Sequence, residues 1–226
     1  TRVFISGFTG SAGAVLVTKA AAFLWTDGRY FLQAEKELQG SGIGLQKIGE
    51  PGVSTVFEYL AEALPAGSKI GMDGKVLSVN AFAQFNQALP DMTFITDRDL
   101  IGEIWDNRPA PVLSTAFLLD VKYTGRSVAE KLAAVRESLR AKQADATVIG
   151  ALEDVCYLFN IRGNDIECTP VVTAYAVVDM QSARLYIDER QMTAEVQSAL
   201  EKEGVSVAPY EAVFTDAGKL SGVVYL

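Results

Sequence analysis

The feature that most constrains this chain is a short run near its middle, Asn107-Arg108-Pro109-Ala110-Pro111. Two prolines that close together continue neither a helix nor a hydrogen-bonded ladder, and they hold the backbone extended and stiff. Cutting the 226 residues there leaves two halves of ordinary domain size. The expected organisation is a domain over 1–106, a proline-containing linker over 107–111 and a second domain over 112–226.

Each half spells out the same order of elements. In the first, Val3 to Ser6 reads as a short β run, followed by a glycine-rich turn with Gly7, Gly10 and Gly13. Apolar runs over 14–18 and 21–26 then read as a hairpin that closes at Asp27-Gly28-Arg29. Helix, strand, helix and strand follow: Phe31, Ala34 and Leu38 at helical spacing, a strand over 43–48, a helix opened by Thr55-Val56-Phe57-Glu58, and a strand over 69–72. A further helix marked by Phe82, Phe85 and Leu89, a strand over 92–96 and a short helix over 99–105 lead to the prolines.

The second half restarts at Ser127-Val128-Ala129-Glu130, a capping-box pattern whose helix carries Val128, Leu132, Val135 and Leu139 in one stripe. A strand over 146–151 and a helix over 154–159 precede a glycine turn at Asn160 to Gly163. A hairpin of 171–178 with 183–187 comes next, and 193–226 reads as helix, strand, helix, strand. The two hairpins end alike, at Asp27-Gly28-Arg29 and Asp188-Glu189-Arg190. The expected fold class is α/β, with a mixed β-sheet flanked by helices in each half. The second repeat has a helix, a strand and a helix ahead of its glycine turn, whereas the first has almost nothing. The first domain is therefore expected to lack its opening strand and helix.

Composition decides the chemistry chiefly by what is missing. There is no histidine, which removes Ser/His and Cys/His triads, the HExxH zinc helix and any imidazole proton shuttle. The net charge of −8 supplies no basic stripe for phosphates, so no nucleic-acid partner is expected. No apolar run approaches the roughly 20 residues of a membrane span, and no signal-peptide pattern opens the sequence. Two cysteines, Cys156 and Cys168, suggest reduced thiols in a cytoplasmic protein rather than a disulfide scaffold.

The glycine turn at Gly7 to Gly13 lacks a P-loop lysine and leads into β structure, so it reads as a structural turn. The carboxylate pairs Glu35/Glu37, Asp97/Asp99 and Glu201/Glu203 read as solvated charge, since i, i+2 side chains diverge on a helix. No ligand set for a metal is visible. Arg29 and Arg162 stand out because each follows a turn at the edge of an apolar strand. Each guanidinium either pairs with a nearby carboxylate, Asp27 or Asp165, to pin the turn, or forks onto a ligand. Trp25 and Trp105 read as core or domain-contact residues.

Taken together, the stretches from Phe4 to Thr18 and from Trp25 to Leu38, the Ile104-to-Pro111 connector, Asp120 to Leu139 and Glu153 to Val178 resemble the first two domains of the three-domain Xaa-Pro aminopeptidases (aminopeptidase P). The resemblance implies two tandem domains of the creatinase/prolidase N-terminal type. It further implies a pita-bread catalytic domain, unmatched here, that carries two divalent metal ions, manganese or zinc, on Asp, Asp, His, Glu and Glu. Cys156 and Tyr157 depart from the family pattern without threatening the fold. In that setting this chain is a non-catalytic part of a metalloaminopeptidase that removes the residue ahead of proline. It would wall the cleft, limit substrate size and support a homodimer. Arg29, Asn160 and Arg162 would face the substrate cleft, with Asp27 and Asp165 orienting the arginines. Two alternatives stay open: a catalytically inactive protein-binding module, and a dipeptidase of the prolidase type.

Overall fold

The first element departs from the sequence reading. Val3 to Ser6, expected as a β run, lies in a short helix, α1 (Arg2–Ser6). Its β-prone composition is overridden by its ends and by a tertiary anchor. Gly7 takes φ 72°, a left-handed C-cap that glycine adopts without penalty, and its N–H donates to the Val3 carbonyl at 2.8 Å. The Arg2 guanidinium reaches forward to the carbonyls of Gly10 and Gly13, tying the helix to the turn that follows.

The computed structural model describes all residues, Thr1–Leu226, in two units, Thr1–Pro109 and Ala110–Leu226. In the first unit, β1 (Ala14–Val17) and β2 (Ala22–Thr26) form the expected hairpin, and β3 (Ile43–Lys47) joins β2 in parallel through α2 (Phe31–Glu37). Helix α3 (Val56–Ala63) starts at a complete capping box. Thr55 accepts from the Glu58 N–H at 3.2 Å, and Glu58 accepts from the Thr55 N–H at 2.7 Å. Then come β4 (Lys69–Gly71), α4 (Val79–Ala88) and β5 (Thr93–Ile95), with β4 and β5 paired in parallel and separate from the three-stranded sheet. The helix expected over 99–105 shrinks to a single 3₁₀ turn, Gly102–Ile104. Phe8, Leu24, Ala34 and Leu38 form one buried cluster, and Leu60, Ile70 and Leu89 form another, against which Leu16 of β1 packs.

The second unit opens with β6 (Phe117–Leu118) and a one-turn helix, α5 (Val121–Thr124), both unforeseen in the sequence. Helix α6 (Val128–Ala141) carries the second capping box, Ser127 with Glu130. Next come β7 (Ala146–Ile149), α7 (Leu152–Leu158) and β8 (Ile161–Arg162), which pairs with β6. The hairpin of β9 (Ala174–Asp179) and β10 (Ala183–Ile187) is followed by α8 (Ala194–Lys202), β11 (Val205–Pro209), α9 (Ala212–Ala217) and β12 (Val224–Tyr225). The five-stranded sheet runs β11-β10-β9-β7-β12, mixed in direction. Its central hairpin is the most buried part, Ala174, Ala176, Val178, Leu185 and Ile187 lying at or near zero exposure in one core with residues of α6, α7 and α8. At roughly 25 cal/mol per Å² of apolar surface, this is the larger stabilising term of the two units.

Candidate functional site

The two Asp-x-Arg corners prove to be the same structure twice. At the end of β2, Arg29 Nε and Nη2 fork onto the two oxygens of Asp27, each at 2.8 Å, and the Arg29 N–H donates to Asp27 Oδ1 at 3.1 Å. At the end of β10, Arg190 Nε and Nη2 fork onto Asp188 at 2.8 and 2.7 Å, and its N–H donates to Asp188 Oδ1 at 2.9 Å. A planar guanidinium two residues past a carboxylate closes the strand-to-helix turn in both places. The side-chain bond from arginine pulls each carboxyl down to about 2. Arg29 leaves 68% of its side chain exposed and lies over the Tyr30 ring at 5.2 Å. It is thus a cation held in one orientation on the surface.

The residue after each arginine fastens a neighbouring segment, the glycine turn itself in the first unit and the Ser114–Asp165 pair beside it in the second, a role the sequence reading missed. Tyr30 packs edge-on against Phe8 and shares a 2.5 Å hydrogen bond with Ser11. Its counterpart Gln191, 1% exposed, donates through Nε2 to the Ser114 carbonyl at 3.0 Å and to Asp165 at 2.8 Å. The turn at Gly7 to Gly13 is held from further sides as well. Glu37 accepts from the Thr9 N–H and hydroxyl at 2.9 and 2.7 Å, which lowers its carboxyl. The reading of the carboxylate pairs as solvated charge needs correction. One member of each pair binds a backbone N–H: Glu37 that of Thr9, Asp99 that of Gly102 and Glu203 that of Ala129.

Asp165 does not orient Arg162. Its oxygens are filled by the Ser114 N–H and hydroxyl, both at 2.7 Å, the Thr173 N–H at 2.7 Å, and Gln191. These bonds outweigh the upward push of burial and hold the carboxyl below its ordinary value. Arg162 turns instead to α7, donating through Nη1 to the carbonyls of Cys156 and Ile161 at 2.8 Å. Asn160 sits at φ 53° after α7, its side chain donating to the Arg126 carbonyl at 2.9 Å and accepting from Lys131 Nζ at 2.5 Å. Lys131 is 3% exposed, also donates to the Tyr157 carbonyl at 2.7 Å, and lies 3.7 Å from the centre of the Tyr157 ring. A buried ammonium and a guanidinium thus satisfy the open carbonyls at the end of α7. Desolvation, then the nearby Arg162 and Arg126, lower the proton affinity of Lys131. The signal for Lys131 was in the sequence, since position 131 falls beside Val128 and Leu132 on the apolar stripe.

Trp25 is core, with its indole N–H donating to the Ser54 carbonyl at 2.8 Å. Trp105 stacks on Phe4 with ring centres 4.2 Å apart. No group of three or more His, Cys, Asp or Glu side chains is placed to hold a metal ion, so these residues do not fit a two-metal centre. No helix is long and apolar enough to cross a membrane. A cleft of about 220 Å³ is lined by Arg184, Tyr186 and Asp216. Each half presents pinned polar side chains at one strand-to-helix corner.

Comparison with known proteins assigns this architecture. The family model of the creatinase/prolidase N-terminal domain matches residues 1–104, and a second model of the same description matches 107–224. Aminopeptidase P2 of Arabidopsis thaliana is 38% identical over 225 residues, covering 97% of this chain and 32% of the relative. Aminopeptidase P1 of Lotus japonicus is 41% identical over 228 residues, covering 97% and 33%. The crystal structure of X-prolyl aminopeptidase from Caenorhabditis elegans, described as a cytosolic enzyme with a di-nuclear active site, matches with a TM-score of 0.92 at 34% identity, over 99% of this chain and 38% of that one. The chain spans about a third of the length of these relatives. With both halves matched and the mixed α/β fold in place, the chain belongs to the creatinase/prolidase N-terminal domain family and carries two such domains in tandem.

Proposed function

We propose that these two domains are the non-catalytic N-terminal part of a metal-dependent Xaa-Pro aminopeptidase. The observation that carries this reading is end-to-end similarity, 38–41% identity over 97% of the chain, to aminopeptidases P. In this reading the chemistry of cleaving ahead of proline would belong to a catalytic domain outside these residues, where two divalent ions, manganese or zinc, would supply a Lewis acid and an activated water. The residues described above bind and exclude. Arg29, locked by Asp27 and free on its outer face, offers a fixed positive charge at the cleft mouth to a peptide's carboxylates or carbonyls. Asn160 and Arg162, fixed on the end of α7, shape the wall that faces the catalytic domain. Walls of this kind admit short peptides and exclude folded protein, and the same surfaces support a homodimer. The cytosol is the proposed location, by likeness to the C. elegans enzyme.

The test uses the complete protein with Mn²⁺ and a proline-second peptide. Cleavage of the bond before proline is expected. Arg29→Ala is expected to raise KM several-fold while kcat changes less than twofold. Absence of cleavage by the complete protein overturns the assignment, and unchanged kinetics in the variant remove Arg29 from the cleft.

A further inference from the structure

Both Asp-x-Arg corners end in the same fork, and what lies beneath the arginine separates them. In the second unit the residue after Arg190 is Gln191, whose amide turns inward to the Ser114 carbonyl and which is 1% exposed. In the first unit the residue after Arg29 is Tyr30, whose ring stays under the guanidinium, its centre 5.2 Å from Arg29 Cζ. A fork between two solvent-facing side chains fixes them to each other but lets the pair swing, since both rotate about several bonds and water screens their attraction. An anchored ring removes that freedom by giving the planar cation one face to lie on.

The glycine turn anchors Tyr30 from three sides. The ring meets Phe8 edge-on, with centres 5.9 Å apart and planes at 85°. Phe8 has no exposed surface, and Arg2 lies over its ring at 5.6 Å. The Tyr30 hydroxyl and Ser11 Oγ share a hydrogen bond of 2.5 Å. Gly10 brings the backbone against the ring, where a Cβ would sit 2.8 Å from Tyr30 Cδ1, so glycine alone leaves room. The turn itself is tied to both ends of α2. Tyr30 is the N-cap at one end, and at the other Glu37 accepts from the Thr9 N–H and hydroxyl. Between them Gln33 donates to the Thr9 hydroxyl at 2.8 Å. From the strand side Thr26 donates to the Ala12 carbonyl at 2.7 Å.

We infer, on the reading of Arg29 as the cation at the cleft mouth, that Tyr30 is a positioning residue for Arg29, and that Ser11 acts through the Tyr30 hydroxyl to set the angle at which that cation meets the substrate. Asp27 keeps the guanidinium charged and paired, and the ring decides where the pair points. The turn from Gly7 to Gly13, structural by its sequence, thereby takes part in binding without touching the peptide.

The test has two readouts. In the complete protein with Mn²⁺ and a proline-second peptide, Tyr30→Leu is expected to raise KM about two- to fivefold, the size of an exposed cation–π contact, with kcat within twofold of the native value. Ser11→Ala and Tyr30→Phe, which each break the hydroxyl bond and keep the ring, are expected to raise KM by one smaller factor of about two, and the double variant no further. The second readout is the ¹⁵N order parameter of Arg29 Nε–H in the 226-residue chain, which needs no substrate. It is expected to fall from a rigid value of about 0.85 to below about 0.6 in Tyr30→Leu. The two ideas therefore fail separately. If Arg29→Ala leaves KM unchanged, the cleft reading falls and the order parameter alone decides whether Tyr30 positions the cation. If Arg29→Ala raises KM while Tyr30→Leu and Ser11→Ala do not, or if Arg29 stays as ordered in Tyr30→Leu as in the native chain, the positioning role is overturned and the fork by itself holds the arginine.

Discussion

Asp165→Asn probes the reasoning about the second unit most sharply. One oxygen of Asp165 accepts from the Ser114 N–H and hydroxyl and the other from the Thr173 N–H, with Gln191 Nε2 touching both at 3.0 and 2.8 Å. Asparagine has the same shape but one acceptor. Whichever way its amide turns, an NH₂ confronts at least two N–H donors that the carboxylate had satisfied. A buried donor left unpaired costs about 1–3 kcal/mol, so the variant should lose about 2–4 kcal/mol after partial hydration. In a unit of about 120 residues this lowers the melting temperature by roughly 8–20 °C. The readout is amide exchange in β9 and β10, accelerated by about 30-fold or more. The pH dependence gives a second check. The folded carboxyl lies below its unfolded value near 3.8, so its stabilisation is full above that value and is lost as pH falls through the folded one. Over that acid range the variant should show a slope shallower by up to about 1.4 kcal/mol per pH unit. A variant within about 0.5 kcal/mol of the native chain, with an unchanged acid slope, would refute the account of this network.

Three further outcomes follow from other sites. Lys131→Met should cost about 1–3 kcal/mol by stranding Asn160 Oδ1 and the Tyr157 carbonyl. Because desolvation lowers the folded proton affinity of Lys131, the native second unit should gain stability as pH rises toward 10.5, and chemical denaturation should find that gain absent in the variant. Alkylation of the native chain should modify one thiol, the exposed Cys168, and unfolding should release the buried Cys156, whose thiol burial pushes up. Gly10→Ala would set a methyl 2.8 Å from the Tyr30 ring, closer than packing allows. It should destabilise the first unit by about 1–3 kcal/mol, read from the fluorescence of Trp25 and Trp105, both of which lie there.

What the sequence made legible was local. Both hairpins, both capping boxes and the recurrence of Asp-x-Arg rest on contacts within a few residues, and they stand in the structure. Helix α1 was misread because Val3, Phe4 and Ile5 favour a strand, while the forces that wind them come from Gly7 and from Arg2 reaching to Gly10 and Gly13. The partners of Asp165 lay out of sight for the same reason. Ser114 is 51 residues away and Gln191 is 26, whereas Arg162 sits close by in sequence. Strand β6 and helix α5 are too short to leave a periodic pattern.

The central claim is that these domains shape a reaction carried out by residues outside them. The most direct measurement sets this 226-residue chain beside the complete protein, both supplied with Mn²⁺ and a proline-second peptide. The account predicts release of the N-terminal residue by the complete protein and none by the chain at any metal concentration. Sustained turnover by the chain alone would contradict it.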